Sequence, residues 1–399
     1  MTTTVETVTG AAQTMVLNMG PQHPSTHGVL RVILELNGEI VVKAEPVIGY
    51  LHTGIEKSSE SKTYSQVITL TDRIDYLAPL SNNLAYCLAV EKLLELEVPK
   101  RAQYIRVLLA ELTRIASHLV WLGTHAIDLG AMSVFLYCFR EREEILKIFE
   151  YLSGQRMMTS YIRIGGLALE PPPDWLERVQ RFLDMFPARI DQYETLLTEN
   201  RIWMARTQGV GVINAADAIA MGISGPLLRA SGVAFDIRKM FPYSSYDEFD
   251  FEVKTATGAD CFARYQVRVA EMRESLKIVR QAMKKNVIDG PIRSEAPGIV
   301  PPAREEMKTS IEGLIYHFKI FTEGFAAPPG EVYSAIESPR GELGIFLASD
   351  GSAKPYRLKF RTPSFVNLQS LPNLAIGRLI AAVVACIGTT DIVLGEVDR

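Results

Sequence analysis

The chain has 399 residues, 47% of them hydrophobic and 22% charged, with 42 Lys+Arg against 46 Asp+Glu and a formal net charge of −4. This is an ordinary globular composition without a basic block, which disfavours nucleic acid as a partner. The four cysteines, Cys87, Cys138, Cys261 and Cys386, form no CxxC pair, which argues against a self-contained zinc or iron–sulfur site and against a disulfide scaffold.

Residues 1–13 are polar with no apolar core and read as a flexible tail, not a signal peptide. TMVLNM (14–19) predicts a strand. VLRVILEL (29–36) and EIVVKAEP (39–46) flank Asn37-Gly38 and predict a hairpin. Residues 14–50 thus read as a small N-terminal sheet, with residues 20–28 as the tip between its first strands. That tip, GPQHPSTHG, carries His23 and His27, two of only six histidines. Pro21 and Pro24 forbid a regular helix there, so the pair is not an i,i+4 zinc motif on a helix. Loops held by a sheet commonly carry binding groups.

Residues 51–399 read as mainly helical. NLAYCLAVEKLLEL (83–96) has helical apolar spacing. Residues 102–139 are strongly apolar with few charges, namely Arg106, Glu111, Arg114 and Asp128, so this helix is buried in the core or against a partner. Gly123 and Gly130 are its candidate breaks. Further helices are expected at 174–200, 262–288, 303–320 and 374–387, with short strands within 321–371. The longest uncharged apolar run near the C-terminus, LIAAVVACIG (379–388), is too short to span a bilayer, which takes about 20 residues. The fold class expected is α+β, mainly α: a helical bundle with a small N-terminal β-sheet.

Several blocks carry a family resemblance. GPQHPSTHGVLR, GYLHTGIEK (49–57), DRIDYL (72–77), ASHLVWLG (116–123), RIGGL (163–167), LRASGV (228–233), ESPRGELG (337–344), PSFVNLQSLP (363–372) and GEVDR (395–399) resemble the 49-kDa-type subunit of respiratory complex I. The resemblance runs from about Met15 to Arg399. It extends to the large subunit of nickel–iron hydrogenases, which hold nickel by two CxxC pairs, and it implies a hydrogenase-large-subunit-like bundle. Those four positions fall here on Asp75, Ala78, Val393 and Glu396, none of which offers the soft thiolate such a centre needs. No metal or cluster is therefore expected on this chain, and an active hydrogenase is excluded.

The resemblance implies the quinone-site subunit of a proton-translocating NADH:quinone oxidoreductase. The quinone is its substrate, and electrons come from an iron–sulfur cluster on a partner. It implies His27 and Tyr76 as headgroup donors, His23 in support, and Asp128 as the carboxylate paired with the loop histidine. Histidine can exchange a proton near neutral pH, and tyrosine is a neutral donor. An anionic partner would favour the imidazolium and fix its tautomer. Without the resemblance, Tyr76 reads as a core tyrosine, His23 as a loop-bracing residue, and His118 and His317 as packing residues. Asp128 lies in an apolar stretch where a lone charge is costly, so a partner for it is expected on physical grounds as well.

Arg73 matches a family arginine facing that cluster; the plain alternative is an ion pair with Asp72 or Asp75. Met158 departs from the histidine that many family members carry beside the cluster. The partners implied are the cluster-bearing small subunit, a 30-kDa-type subunit and the membrane subunit through which quinone enters. The place implied is the cytoplasmic side of a bacterial inner membrane, peripheral and held by partners. Two alternatives stay open: the same kind of chain in a complex fed by ferredoxin or another donor, and a purely structural scaffold.

Overall fold

The computed structural model describes residues 3–6, 14–285 and 289–399. Of the expected tail, residues 1–2 and 7–13 lie outside the described residues, while Thr3–Glu6 form an edge strand. The fold is α+β, mainly α.

Four antiparallel strands open the chain in the order β1-β2-β3-β4: β1 (Thr3–Glu6), β2 (Thr14–Met19), β3 (Arg31–Asn37) and β4 (Ile40–Val47). Strand β3 alternates as its sequence demands, burying Val32, Leu34 and Leu36. The hairpin turn falls one residue later than expected. Asn37 pairs with Ile40, so Gly38 and Glu39 make the turn, and Gly38 takes the positive φ (61°) that glycine tolerates. The buried face of the sheet shares a core with Leu371, Val383, Ile387 and Leu394 from the C-terminal helices. Strand β4 is also tied to them through Val41 N–H to Arg378 O and Gly377 N–H to Val41 O, both 2.8 Å.

Long helices Pro79–Leu93, Lys100–Asp128, Met132–Ser153, Trp175–Leu197 and Cys261–Lys285 build the body. The last was expected to reach residue 288; residues 286–288 lie outside the described residues. The apolar stretch up to Ala126 is internal core, so no partner is needed to cover it. Gly123 does not break the helix. A Cβ there would come 3.3 Å from Phe135, so this glycine lets the Met132–Ser153 helix approach. The break is at Gly130, whose φ is 92°.

Each charge of that stretch has partners. Arg106 makes a bidentate pair with Glu91 at 2.9 and 2.6 Å. Glu111 accepts from Arg238 (3.0 Å), Tyr246 (2.6 Å) and Ser275 (2.6 Å). Burial pushes Glu111 up, but Arg114 and Arg238 outweigh it and hold it at about 2.

Residues 303–320 form two helices, Glu306–Thr309 and Ile311–Thr322, because Ser310 caps the second through Gly313 N–H. The final helix expected at 374–387 is divided between Leu371–Ala375 and Ile380–Thr390, with Gly377 (φ 77°) in the break, and a further short helix, Leu394–Asp398, follows. Within 321–371, strands Gly330–Ser338, Gly341–Ser349 and Arg357–Arg361 form an antiparallel sheet. Among the described residues no helix is long and apolar enough to cross a membrane.

Candidate functional site

The loop between β2 and β3 is built around a single 3₁₀ turn, Pro24–Thr26. His23 precedes it in extended conformation, and its Nδ1 accepts from Ser25 N–H at 3.2 Å. His23 therefore braces the loop backbone, as its plain reading expects. His27 ends the turn with φ 49° and ψ 61°, a left-handed conformation uncommon outside glycine. That reversal carries its imidazole to the end of the Lys100–Asp128 helix. There His27 Nε2 meets Asp128 Oδ2 at 2.6 Å, with the two side chains 13% and 8% exposed. The partner expected for Asp128 is thus the loop histidine, 101 residues away in sequence.

Beneath the pair lies a residue the sequence did not bring forward. His125 sits one turn before Asp128, fully buried, with no hydrogen-bond partner on either ring nitrogen. Its ring stacks on Trp121 (5.4 Å) and meets Trp203 edge-on (5.3 Å). Burial pushes it down, to about 3, assisted by the neighbouring His27 and Arg268 charges, so the imidazole is neutral. The wall facing both residues is Gly388, whose carbonyl accepts from Trp121 Nε1 at 2.8 Å.

Tyr76 lies half-buried against the Leu394–Asp398 helix, which the loop also meets. Gly28 faces Leu394, and Gly395 lies against the Tyr76 ring and the Arg73 and Ile74 carbonyls, leaving no room for a side chain. Burial, then the Asp75 charge, raise the Tyr76 hydroxyl above its usual value, so it is a neutral donor. Asp75 is held by the buried Arg340, which also pairs with Asp391 Oδ1 at 3.2 Å and donates to its carbonyl at 2.8 Å. Glu396 completes this group. Its Oε2 accepts from Ser364 N–H at 3.2 Å and from the Ser364 hydroxyl, while Oε1 has no partner. Burial and the Asp75 charge push Glu396 up to about 8. Arg340 and Glu396 lie in blocks that carry the family resemblance, but only their cross-chain neighbours mark them as part of the site.

Arg73 points outward and donates to Thr69 O, making no ion pair with Asp72 or Asp75. Asp72 instead accepts from Ser160, at the end of the loop bearing Met158. Arg73 and Met158 are thus placed on neighbouring segments. His118 bridges helices through Glu271 at 3.0 Å, and His317 packs on Phe321.

Two surface hollows, about 870 and 390 Å³, are lined by other segments and include none of His27, Tyr76 or Asp128. Neither hollow is thus the candidate site. Among the described residues no group of three or more His, Cys, Asp or Glu could hold a metal ion.

Residues 128–399 match the family described as respiratory-chain NADH dehydrogenase, 49 Kd subunit. The chain belongs to this family. It is 66% identical over 385 residues to the first D-type NADH-quinone oxidoreductase subunit of Solibacter usitatus, covering 96% of this chain and 94% of that one. It is 64% identical over 390 residues to the second D-type subunit of Koribacter versatilis (98% and 97% covered). It is 58% identical over 389 residues to the D-type subunit of Citrifermentans bemidjiense (98% and 100%). The His27–Asp128 pair and the Tyr76 cluster are thus features of a 49-kDa-type subunit, one member of a multi-subunit respiratory dehydrogenase.

Proposed function

We propose that the face between loop 20–28 and Tyr76 binds the headgroup of a quinone and supplies both protons of its reduction, in a proton-translocating NADH:quinone oxidoreductase. The observation that carries this reading is the 2.6 Å contact between His27 and Asp128. With Nε2 held by Asp128, His27 keeps its proton there in the neutral form. Nδ1 then becomes a donor only in the imidazolium. His27 can therefore give one proton from Nδ1 and remain correctly oriented. Tyr76, a neutral hydroxyl, serves the second carbonyl of the quinone. His23 supports the loop backbone.

Electrons come from an iron–sulfur cluster on a small partner subunit, next to the side bearing Arg73 and Met158. A 30-kDa-type partner and a membrane partner complete the surroundings, the latter giving the quinone its path from the bilayer. This accords with a candidate site that lies in neither surface hollow of the single chain. It also accords with the helix Ile311–Thr322, which exposes Ile311, Leu314, Phe318 and Phe321. The protein then sits at the cytoplasmic side of a bacterial inner membrane, held peripherally.

The test is quinone reductase activity in membranes carrying His27→Ala or Tyr76→Phe, with NADH:ferricyanide activity as the assembly control. The reading requires quinone reduction to collapse while ferricyanide reduction survives. Wild-type quinone reduction in both variants would refute it and favour a structural scaffold.

A further inference from the structure

We infer that Arg163 is the socket for an acidic side chain, carried on an apolar segment of the cluster-bearing partner subunit, and that this ion pair holds the partner against the loop bearing Met158. The inference rests on the reading above, which puts that partner on this side of the chain.

The socket is built from the RIGGL turn. Ile162–Arg163 pairs with Gly166–Leu167 in a short hairpin, and Gly165 and Gly166 between them take φ of 80° and 146°. A Cβ on Gly166 would strike the Ile292 carbonyl, so glycine is what lets residues 291–301 lie against the hairpin. Arg106 fixes the hairpin from within. Its Nη2 donates to the Arg163 carbonyl at 2.7 Å and to the Gly166 carbonyl at 3.1 Å, and its partner Glu91 accepts from Gly165 N–H at 2.8 Å. The smaller of the two hollows, about 390 Å³, lies between this hairpin, residues 299–301 and the end of the Ile311–Thr322 helix.

The charge of its lining has one sign. Arg163 and Arg293 reach it, and no Asp or Glu does. Arg293 finds acceptors in the chain, the Leu167 carbonyl at 3.0 Å and the Ala168 carbonyl. Arg163 does not. Its side chain makes no ion pair and no hydrogen bond among the described residues, and its Nε is buried without a partner. Asp72 is bonded to Ser160 instead. Thr159, only 8% exposed, adds a hydroxyl that also lacks a partner. The buried guanidiniums of Arg106, Arg229, Arg238 and Arg340, by contrast, each meet a carboxylate. A half-buried guanidinium left alone is costly, and its natural complement is a carboxylate held by two parallel hydrogen bonds.

The walls set the class of the occupant. Ile299, Val300 and Phe321 are apolar, so a free hydrophilic anion would give up hydration there for no return. A carboxylate flanked by apolar side chains fits both features, and filling the hollow would release about a dozen waters at about 30 Å³ each. Position selects the source. Thr159 and Ser160, which line the hollow, follow Met158 directly in the chain. Ser65 and Ile68 line it from the Tyr64–Thr71 helix, the same helix whose Thr69 carbonyl receives Arg73. The hollow is therefore continuous with the face proposed for the cluster-bearing partner, and arginine is the residue best suited to an ion pair at such an interface.

The experiment uses the assembled complex, solubilised from membranes and purified through a tag on this chain. The amount of small subunit that co-purifies and the electron paramagnetic resonance amplitude of its cluster are read. Arg163→Glu is expected to cut both about tenfold or more, Arg163→Gln to cut them less, and Arg163→Lys to stay within about twofold of the unaltered complex. The Arg163→Glu chain is then paired with small subunits in which one acidic residue at a time is changed to lysine, and one such exchange is expected to restore co-purification. Should Arg163→Glu not accumulate, Arg163→Gln takes its place and the partner acids are changed to amides one at a time. One of these must weaken binding to the unaltered chain and cost nothing further in Arg163→Gln. Unchanged co-purification in Arg163→Glu or Arg163→Gln overturns the inference, and so does a loss that no partner exchange restores or matches. A fatty acid or phospholipid found by native mass spectrometry, lost with Arg163→Gln while the small subunit stays bound, overturns it in favour of a lipid anion. His27→Ala and Tyr76→Phe, measured alongside, separate the two levels. If they leave quinone reduction intact while Arg163→Glu sheds the small subunit, the quinone-site reading falls and the socket stands. If they abolish it while Arg163→Glu keeps the small subunit, only the socket falls.

Discussion

Gly388 and His125 are in contact that leaves no space for a side chain: a Cβ on Gly388 would lie 2.4 Å from His125 Nδ1. The same Cβ would come 3.3 Å from Asp128 Oδ2. Gly388→Ala must therefore displace the ring or the carboxylate that holds His27. Displacements of about 1 Å in a reacting array can cost on the order of 100-fold in rate. The expected outcome is quinone reductase activity reduced at least about tenfold, with ferricyanide reduction retained. A variant with normal quinone turnover would show that the wall can yield and that the placement of Asp128 is not critical.

Asp128→Asn tests the charge of the pair and not its shape. The amide can still meet His27, but it no longer offers that ring an anionic acceptor. Charge-assisted hydrogen bonds are roughly twice as strong as neutral ones, so a loss of about tenfold in quinone turnover is expected. Steady-state kinetics with a short-chain quinone would measure it. A rate equal to that of the unaltered complex would mean that His27 does not act as a cation.

Methionine at position 158 cannot titrate, so on the proposed reading, with a partner's cluster beside this loop, that cluster is expected to have a potential that varies only weakly with pH. Met158→His would introduce a titrating group on the loop anchored by Ser160 to Asp72. The potential should then acquire a dependence approaching about 59 mV per pH unit, the value for one proton per electron. Redox titration followed by electron paramagnetic resonance at several pH values would reveal it. A steep slope already present with methionine would contradict the expectation.

Acid should unfold this protein through its buried ion pairs. Burial raises Glu111 and Glu271, but Arg114 and Arg238 bring the first to about 2, and Arg229 and His118 the second to about 2. Both lie below their unfolded-state value of 4.5, so their stabilisation is present above about pH 4.5 and is lost as pH falls toward 2. Tm measured between pH 3 and 7 should fall steeply at the acid end. Glu111→Gln should lower Tm at neutral pH, since breaking a buried pair costs about 3–5 kcal/mol, and should flatten the acid dependence. An unchanged acid slope in that variant would assign the loss to other carboxylates.

Much of the architecture was legible where local rules suffice. The alternation of β3, the helical spacing of residues 83–96, and the need of Asp128 for a partner are all readable from residue type and period. The errors fall where tertiary contact overrides local preference. Gly123 looked like a breaker because glycine weakens helices, but the close approach of Phe135 is what it serves. The final helix looked continuous because nothing local reveals that Gly377 is bonded to Val41 across the molecule. The same limit applied to the site. His125 differs from a core residue only through Gly388 and its place one turn before Asp128. Glu396 stood in view, yet its charge matters only once Asp75 and the distant hairpin residue Arg340 are brought beside it.

The contacts that build the site close long stretches of chain. His27 to Asp128 spans 101 residues and Asp75 to Arg340 spans 265. Such closures give up much chain entropy before any contact rewards them, and proteins dominated by them fold slowly. The helices can form and collapse on local contacts first. The proposed headgroup face must then be among the last regions to order, and a newly made chain passes through a stage that is compact and helical before that face exists.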